Sequence, residues 1–373
     1  MDRFQRAYPL LFLLLLLSLP SLAVSQAPAS TPLPGTTLPT PQLNVQPEKP
    51  QLTYTDSVFL RAKELFEKRK WNEAILLWKQ VKNIDTTYPY VYYYLGLAYA
   101  NTDKFKDAER SFLHHISQYP QNALGYYNYG LSLAYQKNMG SAIEAFRKAA
   151  KLDSSLYQAW QNMGLAFIEQ RKVSEAYSAF SHAVKANPSY APAQYYLAVT
   201  SHQLKKDEEA LSALKKTIRL DSTMPGAYYL LGEIYKQKKE YTLARTAYQT
   251  AVKRAPNYAE AYHALGVIYA LESNFKEAAA TIEKAVALNP KLINAYYSLG
   301  VTYSQLQEPI KAIDALNKAI ALDSHFLPAY EGLATIYVKT HQRSEAAKIY
   351  DIVRGFSEEG AKSINQILHE PIR

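Results

Sequence analysis

The chain has 373 residues, enough for two or three ordinary domains or one long repeat array, and its 48% hydrophobic and 20% charged content is globular rather than disordered. It contains no cysteine, which excludes disulfides, thiol catalysis and cysteine metal sites. The net charge of +9 leaves room for an anionic partner, and tyrosine is over-used, at 32 copies against 12 phenylalanines.

Residues 1–25 have the make-up of a secretory signal peptide. Arg3 and Arg6 form a basic start, Leu10 to Leu19 an apolar run, and Ala23-Val24-Ser25 a small-x-small cleavage site. The run is shorter than the ~20 residues of a membrane span, so the expectation is a cleaved signal and no integral membrane protein thereafter. The mature part lacks an Asn-x-Ser/Thr sequon, since Pro188 disqualifies Asn187-Pro188-Ser189. With no cysteine either, the chain reads as exported in a bacterium, periplasmic or extracellular. Residues 26–54 follow as a Pro/Thr-rich, disordered and extended linker.

From Thr55 to Gly360 a period of 34 residues repeats nine times. Small residues stand at Ala62, Gly96, Gly130, Gly164, Ala198, Gly232, Gly266, Gly300 and Ala334, which is position 8 of each unit counted from Thr55. Alanine follows twelve residues later each time, from Ala74 to Ala346. Bulky residues recur at position 4 (Tyr92, Tyr126, Trp160), position 11 (Tyr99, Leu133, Phe167) and position 24 (Trp78, Phe112, Phe146). Positions 4, 8 and 11 share one face of a first helix, A. The small residue lets a second helix, B, approach, and positions 4, 11 and 24 are expected to fill a common core. No unit buries this face alone, so neighbours must stack. Residues 361–373 close the array as an apolar-striped capping helix.

This spacing resembles the tetratricopeptide repeat family over nearly all of the mature chain. The resemblance implies an all-α, right-handed superhelical solenoid of helix-turn-helix units. The first unit carries Arg61 and Leu65 where the pattern wants leucine and an aromatic, as a solvated cap would. The fifth has Gln194, Ser201 and Thr217 at core positions, and slack hydrogen-exchange protection is expected over 191–224.

A second stripe runs beside the core stripe on helix A. Position 5 carries Tyr93, Tyr127, Tyr195, Tyr229, His263 and Tyr297; position 9 carries Leu97 and Leu131. In tetratricopeptide proteins this stripe lines the concave surface where partners bind, so the resemblance implies a tyrosine-lined groove. Tyrosine suits recognition, with a rigid apolar body and a hydroxyl. Asn128 and Asn162, at position 6, are candidates to hold a peptide backbone through an amide that both donates and accepts. The lysine and asparagine clamp of the family's carboxylate receptors is absent, and so is a continuous asparagine ladder.

Basic residues gather in the turns between helices A and B, among them Lys68, Arg69, Lys70, Lys104 and Lys137, forming an edge for an anionic surface or glycan. Nucleic acid is not expected as a partner of an exported protein. His114 and His115 are adjacent, so they face different ways and cannot chelate together. No HExxH, P-loop or GxSxG motif occurs, and neither catalysis nor a cofactor is expected. The expected function is a non-enzymatic scaffold holding a protein or peptide partner in the groove. The alternatives are a structural subunit of a secretion or envelope-biogenesis complex and a glycan-binding protein.

Overall fold

The computed structural model describes residues 52–369; the signal segment, most of the linker and residues 370–373 lie outside them. Among the described residues there are nineteen helices and no strand. The chain divides into two compact units between Ser222 and Thr223. Unit 1 holds five A/B pairs: α1 (Tyr54–Glu67) and α2 (Trp71–Ile84), α3 (Val91–Asn101) and α4 (Phe105–Gln118), α5 (Ala123–Tyr135) and α6 (Met139–Leu152), α7 (Tyr157–Glu169) and α8 (Val173–Ala186), α9 (Ala191–Gln203) and α10 (Asp207–Leu220). Unit 2 holds α11 (Pro225–Gln237) and α12 (Tyr241–Arg254), α13 (Ala259–Leu271) and α14 (Phe275–Leu288), α15 (Ile293–Gln305) and α16 (Pro309–Leu322), α17 (Leu327–Lys339) and α18 (Arg343–Arg354). A last helix, α19 (Glu358–His369), packs on α17 and α18. Within each unit every A helix packs on its own B helix, and every B helix on the next A helix.

Local signals set the helix boundaries. Thr53 and Asp56 form a capping box on α1, and Asn122 caps α5 through Gly125 N–H at 2.6 Å. Proline opens α9, α11, α16 and α17, where its missing N–H costs nothing. Between A and B, the residue at position 15 is left-handed in all nine repeats, from Arg69 to His341, with φ between 58° and 63°, and none is glycine.

The core depends on position 8. A Cβ placed on Gly164 would stand 2.6 Å from the ring of Phe180, and one on Gly130 2.7 Å from Phe146. The position-24 side chain of helix B therefore lies directly on the backbone of helix A. Trp78, Phe112, Phe180, Leu214, Tyr248, Ile282 and Leu316 are all sealed at this position. Positions 3, 7 and 10 seal against the preceding repeat: Ala159, Met163 and Ala166 are buried, whereas Ser57, Arg61 and Glu64 of the first repeat are exposed. The first repeat is thus a solvated cap.

Position 4 joins the core unevenly: Tyr262 and Tyr330 are buried, as the sequence suggests, whereas in the second to fourth repeats the ring lies at its margin. Tyr92, Tyr126 and Trp160 are half-buried, and each meets position 26 of its own B helix. Tyr92 stacks on His114 at 4.9 Å, Trp160 on His182 at 4.5 Å, and Lys148 lies 5.9 Å from the Tyr126 ring. The polar tip ties down the incoming loop. Trp160 Nε1 donates to the Ser154 carbonyl at 3.3 Å, and Tyr330 Oη to the Ser324 carbonyl at 3.1 Å.

In the fifth repeat Gln194 makes the equivalent bond, from Nε2 to the Pro188 carbonyl at 3.1 Å. Gln194 therefore replaces the aromatic without leaving a gap, and α9 is buried continuously from Ala193 to Ser201. The end of this repeat is instead where the two units divide. Hydrogen exchange is expected to be slow through α9 and fast only around residues 221–224. Fast exchange along α9 would show the polar core positions to be weak after all.

The glycines separate two opposite outcomes. Gly164→Ala should cost about 1–3 kcal/mol, as an overpacked core does. Gly140→Ala in α6, where nothing lies within 4 Å of the added Cβ, should gain about 0.5–1 kcal/mol. Urea titration of the two variants measures both.

Candidate functional site

The A-helix stripe at positions 5, 9 and 12 is where sequence and resemblance place recognition, and the two units treat it differently. In unit 1 it is largely closed. Tyr93 is 7% exposed and Tyr195 3%; Leu131, Leu165 and Val199 are buried, and Leu97 and Tyr127 are half-buried. The Tyr93 ring packs against Phe112 at 5.9 Å and His115 at 5.0 Å, and its hydroxyl accepts a hydrogen bond from Asn128 Nδ2 at 3.2 Å. The next pair repeats the contact, with Asn162 Nδ2 donating to the Tyr127 hydroxyl at 3.1 Å. Position 5 thus clasps position 6 of the following repeat. The other amide proton of Asn128 goes to the Leu124 carbonyl at 2.9 Å, and that of Asn162 to the Gln158 carbonyl at 3.0 Å.

These contacts correct the groove expected from sequence. The rings of Tyr93 and Tyr195 in unit 1, and of Tyr229 in unit 2 (8% exposed), lie within the packing rather than facing a hollow. The physical reason is reach: a tyrosine spans the gap to the next A helix, so stacking covers the ring and, at Tyr93, satisfies the hydroxyl. Both amide donors of Asn128 and Asn162 are spent inside the fold, so neither side chain has a donor left for a peptide backbone. Leu131 and Asn162 do meet, with Leu165 and Tyr135, around a cavity of about 20 Å³. That volume suits roughly one water, not a side chain.

In unit 2 the same stripe opens. His263, Val267 and Tyr297 are half-buried, Val301 is 40% exposed, and Leu271 beside them at position 13 is 51% exposed. His263 Nε2 lies 2.9 Å from Ser298 Oγ, the position 5-to-6 clasp again, and Tyr297 meets Phe326 edge-on at 5.8 Å. Glu233 takes position 9 of the sixth repeat and is held by Lys236 at 2.8 Å and by the Tyr248 hydroxyl. The stripe therefore offers an apolar centre at Val267, Leu271 and Val301 with a paired charge at one end. Sequence reasoning passed over Leu271. Its signal was apolar character at a position where Gln237, Gln305 and Lys339 are polar. A larger cleft of about 410 Å³ lies between α14 and α16 with α15 as its floor, lined by Tyr296, Tyr303, Glu283, Lys311, Asp314 and Lys318.

The histidine pair divides as expected. His114 is exposed on its tyrosine, while His115 is fully buried among Tyr90, Tyr93 and Tyr119, at 5.4, 5.0 and 5.0 Å. Neither of its ring nitrogens makes a well-formed hydrogen bond, although the Asn122 side chain lies close enough to interact with the ring. Burial pushes its pKa down to about 4, with Asn122 opposing the shift. A folded-state pKa below the usual 6.5 means the unfolded chain binds the proton first. The contribution of His115 is thus whole above about pH 6.5 and is lost as pH falls towards 4. His115→Ala, the residue found at this position in Ala149 and Ala183, should flatten the decline in unfolding free energy between pH 7 and 4.5. The difference should be on the order of 3 kcal/mol, read from urea melts at several pH values. Parallel curves for the two proteins would show that His115 stays neutral without cost.

Three family models match: the C-terminal ARM domain of tetratricopeptide repeat protein 21 over residues 143–326, a TPR repeat over 62–103, and a tetratricopeptide repeat over 92–156. The chain is a tetratricopeptide repeat protein, and such arrays serve as protein–protein interaction scaffolds.

Among solved structures, it is similar to the APC/C hetero-tetramer Cut9-Hcn1, with 17% identity and a TM-score of 0.52 over 76% of this chain and 56% of that one. It spans little more than half of that relative. A tetratricopeptide repeat protein from Parabacteroides merdae gives 15% identity and a TM-score of 0.50, covering 66% of this chain and 99% of that one. PilF of Pseudomonas aeruginosa gives 17% and 0.50, over 57% and 97%. At these identities the likeness concerns the fold. No curated protein matches the chain. Among the described residues no helix is long and apolar enough to cross a membrane, and no group of histidine and carboxylate side chains is placed to hold a metal ion.

Proposed function

We propose that this protein is a non-enzymatic scaffold whose unit 2 holds a segment of a partner protein along the A-helix stripe of the seventh and eighth repeats. One observation carries the reading: the stripe is sealed at Leu131, Leu165 and Val199 but open at Val301 and Leu271. A partner side chain gains most where apolar surface is still wet, at about 25 cal/mol per Å² removed from water. The half-buried His263 and Tyr297 flank that surface with a hydrogen-bonding ring and an aromatic one, the mix expected at a recognition centre. The make-up of residues 1–25 supports a location in a bacterial envelope, periplasmic or outside the cell, which fractionation of the native host would test.

Val301→Arg/Leu271→Ser, at the two exposed positions, should remove the partner from an envelope-extract pull-down while leaving helicity and melting nearly unchanged. Leu97→Ala in unit 1 should keep it. Retention of the same partner by the first variant would end the assignment of the stripe. Tyr93→Ala/Tyr195→Ala should instead cost several kcal/mol of stability, since truncating a buried aromatic removes about 3–5 kcal/mol. Loss of binding in that variant reports unfolding, not recognition.

A further inference from the structure

The basic residues that sequence places in the A–B turns are mixed with acids there. Lys70 pairs with Glu73 at 3.2 Å, and Asp103, Asp107, Glu175 and Asp207 share those turns or the first turn of the B helix that follows. A less diluted concentration of positive charge lies elsewhere, on the outward side of the B helices of unit 1. Positions 25, 26 and 29 carry Lys148 and Lys151 on α6, Lys185 on α8, and Lys215, Lys216 and Arg219 on α10, all exposed. Among the described residues none of these six forms an ion pair; the nearby Arg147 is paired with Glu144 on its own helix. The B helices are neighbours in one layer. Tyr177 of α8 donates its hydroxyl hydrogen bond to Glu209 of α10 at 2.9 Å. Equivalent positions of unit 2 are not basic in this way. They hold Lys253, Lys284 and Lys318 one to a helix, Lys318 paired with Asp314 at 2.7 Å, among Glu283, Asn317, Asp351, Ala287 and Ala321, so the charge is sparser and offset by acids.

We propose that this band is a second interaction surface, independent of the unit 2 stripe, and that its occupant is an acidic segment of a partner protein. Charge complementarity selects an anion. The shape of the band selects among anions: positions 25 to 29 span one helical turn, about 6 Å, while the cations cross three helices, which matches a single chain rather than a field of headgroups. The aromatic rings in the band face the wrong way for the other polyanions. Trp160 is covered by His182 and Tyr126 lies beneath Lys148, both half-buried, so neither offers a free face for base stacking or a rim for a bilayer. Long-range attraction of this kind speeds encounter and weakens with salt.

The test uses the full chain and a fluorescein-labelled peptide of five Glu-Glu-Ser triplets, followed by anisotropy. Binding at low ionic strength should fall steeply towards about 0.15 M salt. Lys148→Gln/Lys185→Gln/Lys216→Gln should weaken it about tenfold or more. The same change on the turn edge, Lys104→Gln/Lys137→Gln/Lys205→Gln, should shift it less than about twofold. All six sites are exposed; glutamine keeps helix propensity at the three helical ones and replaces an equally unbranched side chain in the turns, so circular dichroism of both variants should match the wild type. The proposal is overturned by absence of peptide binding, by salt-independent binding, or by equal losses in the two variants. It is equally overturned if phosphatidylglycerol vesicles or single-stranded DNA bind more tightly than the peptide and lose binding with the first variant.

Discussion

The contact on which the rest of this molecule depends is a side chain of helix B lying flat on a backbone that has no room for another carbon. Gly96 under Phe112, Gly164 under Phe180 and Gly232 under Tyr248 are the same event repeated at a fixed interval. Each fixes the A–B crossing of its unit, and with it which residues of helix A point at the neighbour. In the fifth repeat Ala198 and Leu214 hold the same two positions, and both are fully buried. Packing at crystal-like density leaves little latitude in either partner.

Once that crossing is set, tyrosine serves at several depths. At position 24, Tyr248 is core. At position 4 the ring is half-buried, as in Trp160, or buried, as in Tyr330, while its indole nitrogen or hydroxyl ties down a loop carbonyl. At position 5 it reaches across to the next repeat, Tyr93 to Asn128 and Tyr127 to Asn162. An amphipathic side chain permits all three, whereas phenylalanine would leave the loop carbonyl and the asparagine amide without these partners. The abundance of tyrosine is therefore largely a product of stacking. Where the stripe is exposed it is aliphatic, at Leu271 and Val301, with Val267 half-buried beside them.

Much of the architecture was legible in the sequence because it depends on spacing within one repeat. A small residue and a bulky one stand sixteen residues apart in every unit, as Gly96 and Phe112 do, and that pairing calls for two closely packed helices. The polar front of Ser57, Arg61 and Glu64 was legible for the same reason, as departures from a rule. What escaped depends on contacts between repeats. Nothing local in Tyr93 says that Asn128 will close over its hydroxyl, and nothing in Gln194 says that its amide will find Pro188. Leu131 and Val301 are both aliphatic at position 9, yet one is buried and the other 40% exposed, a difference no single repeat announces. The band on α6, α8 and α10 was hidden by a simpler pattern in the turns, where acids at the B-helix starts offset the lysines.

The turns themselves carry one more implication. Nine exposed residues, Arg69 and Lys137 among them, adopt a left-handed backbone that side chains with a Cβ disfavour by about 1–2 kcal/mol. That penalty is tolerated nine times over, so the fold is held well short of the robustness its geometry allows. Glycine or asparagine at these sites would relax the chain without disturbing either face of the array. A family of hardened variants is thus latent in the least conspicuous part of the repeat.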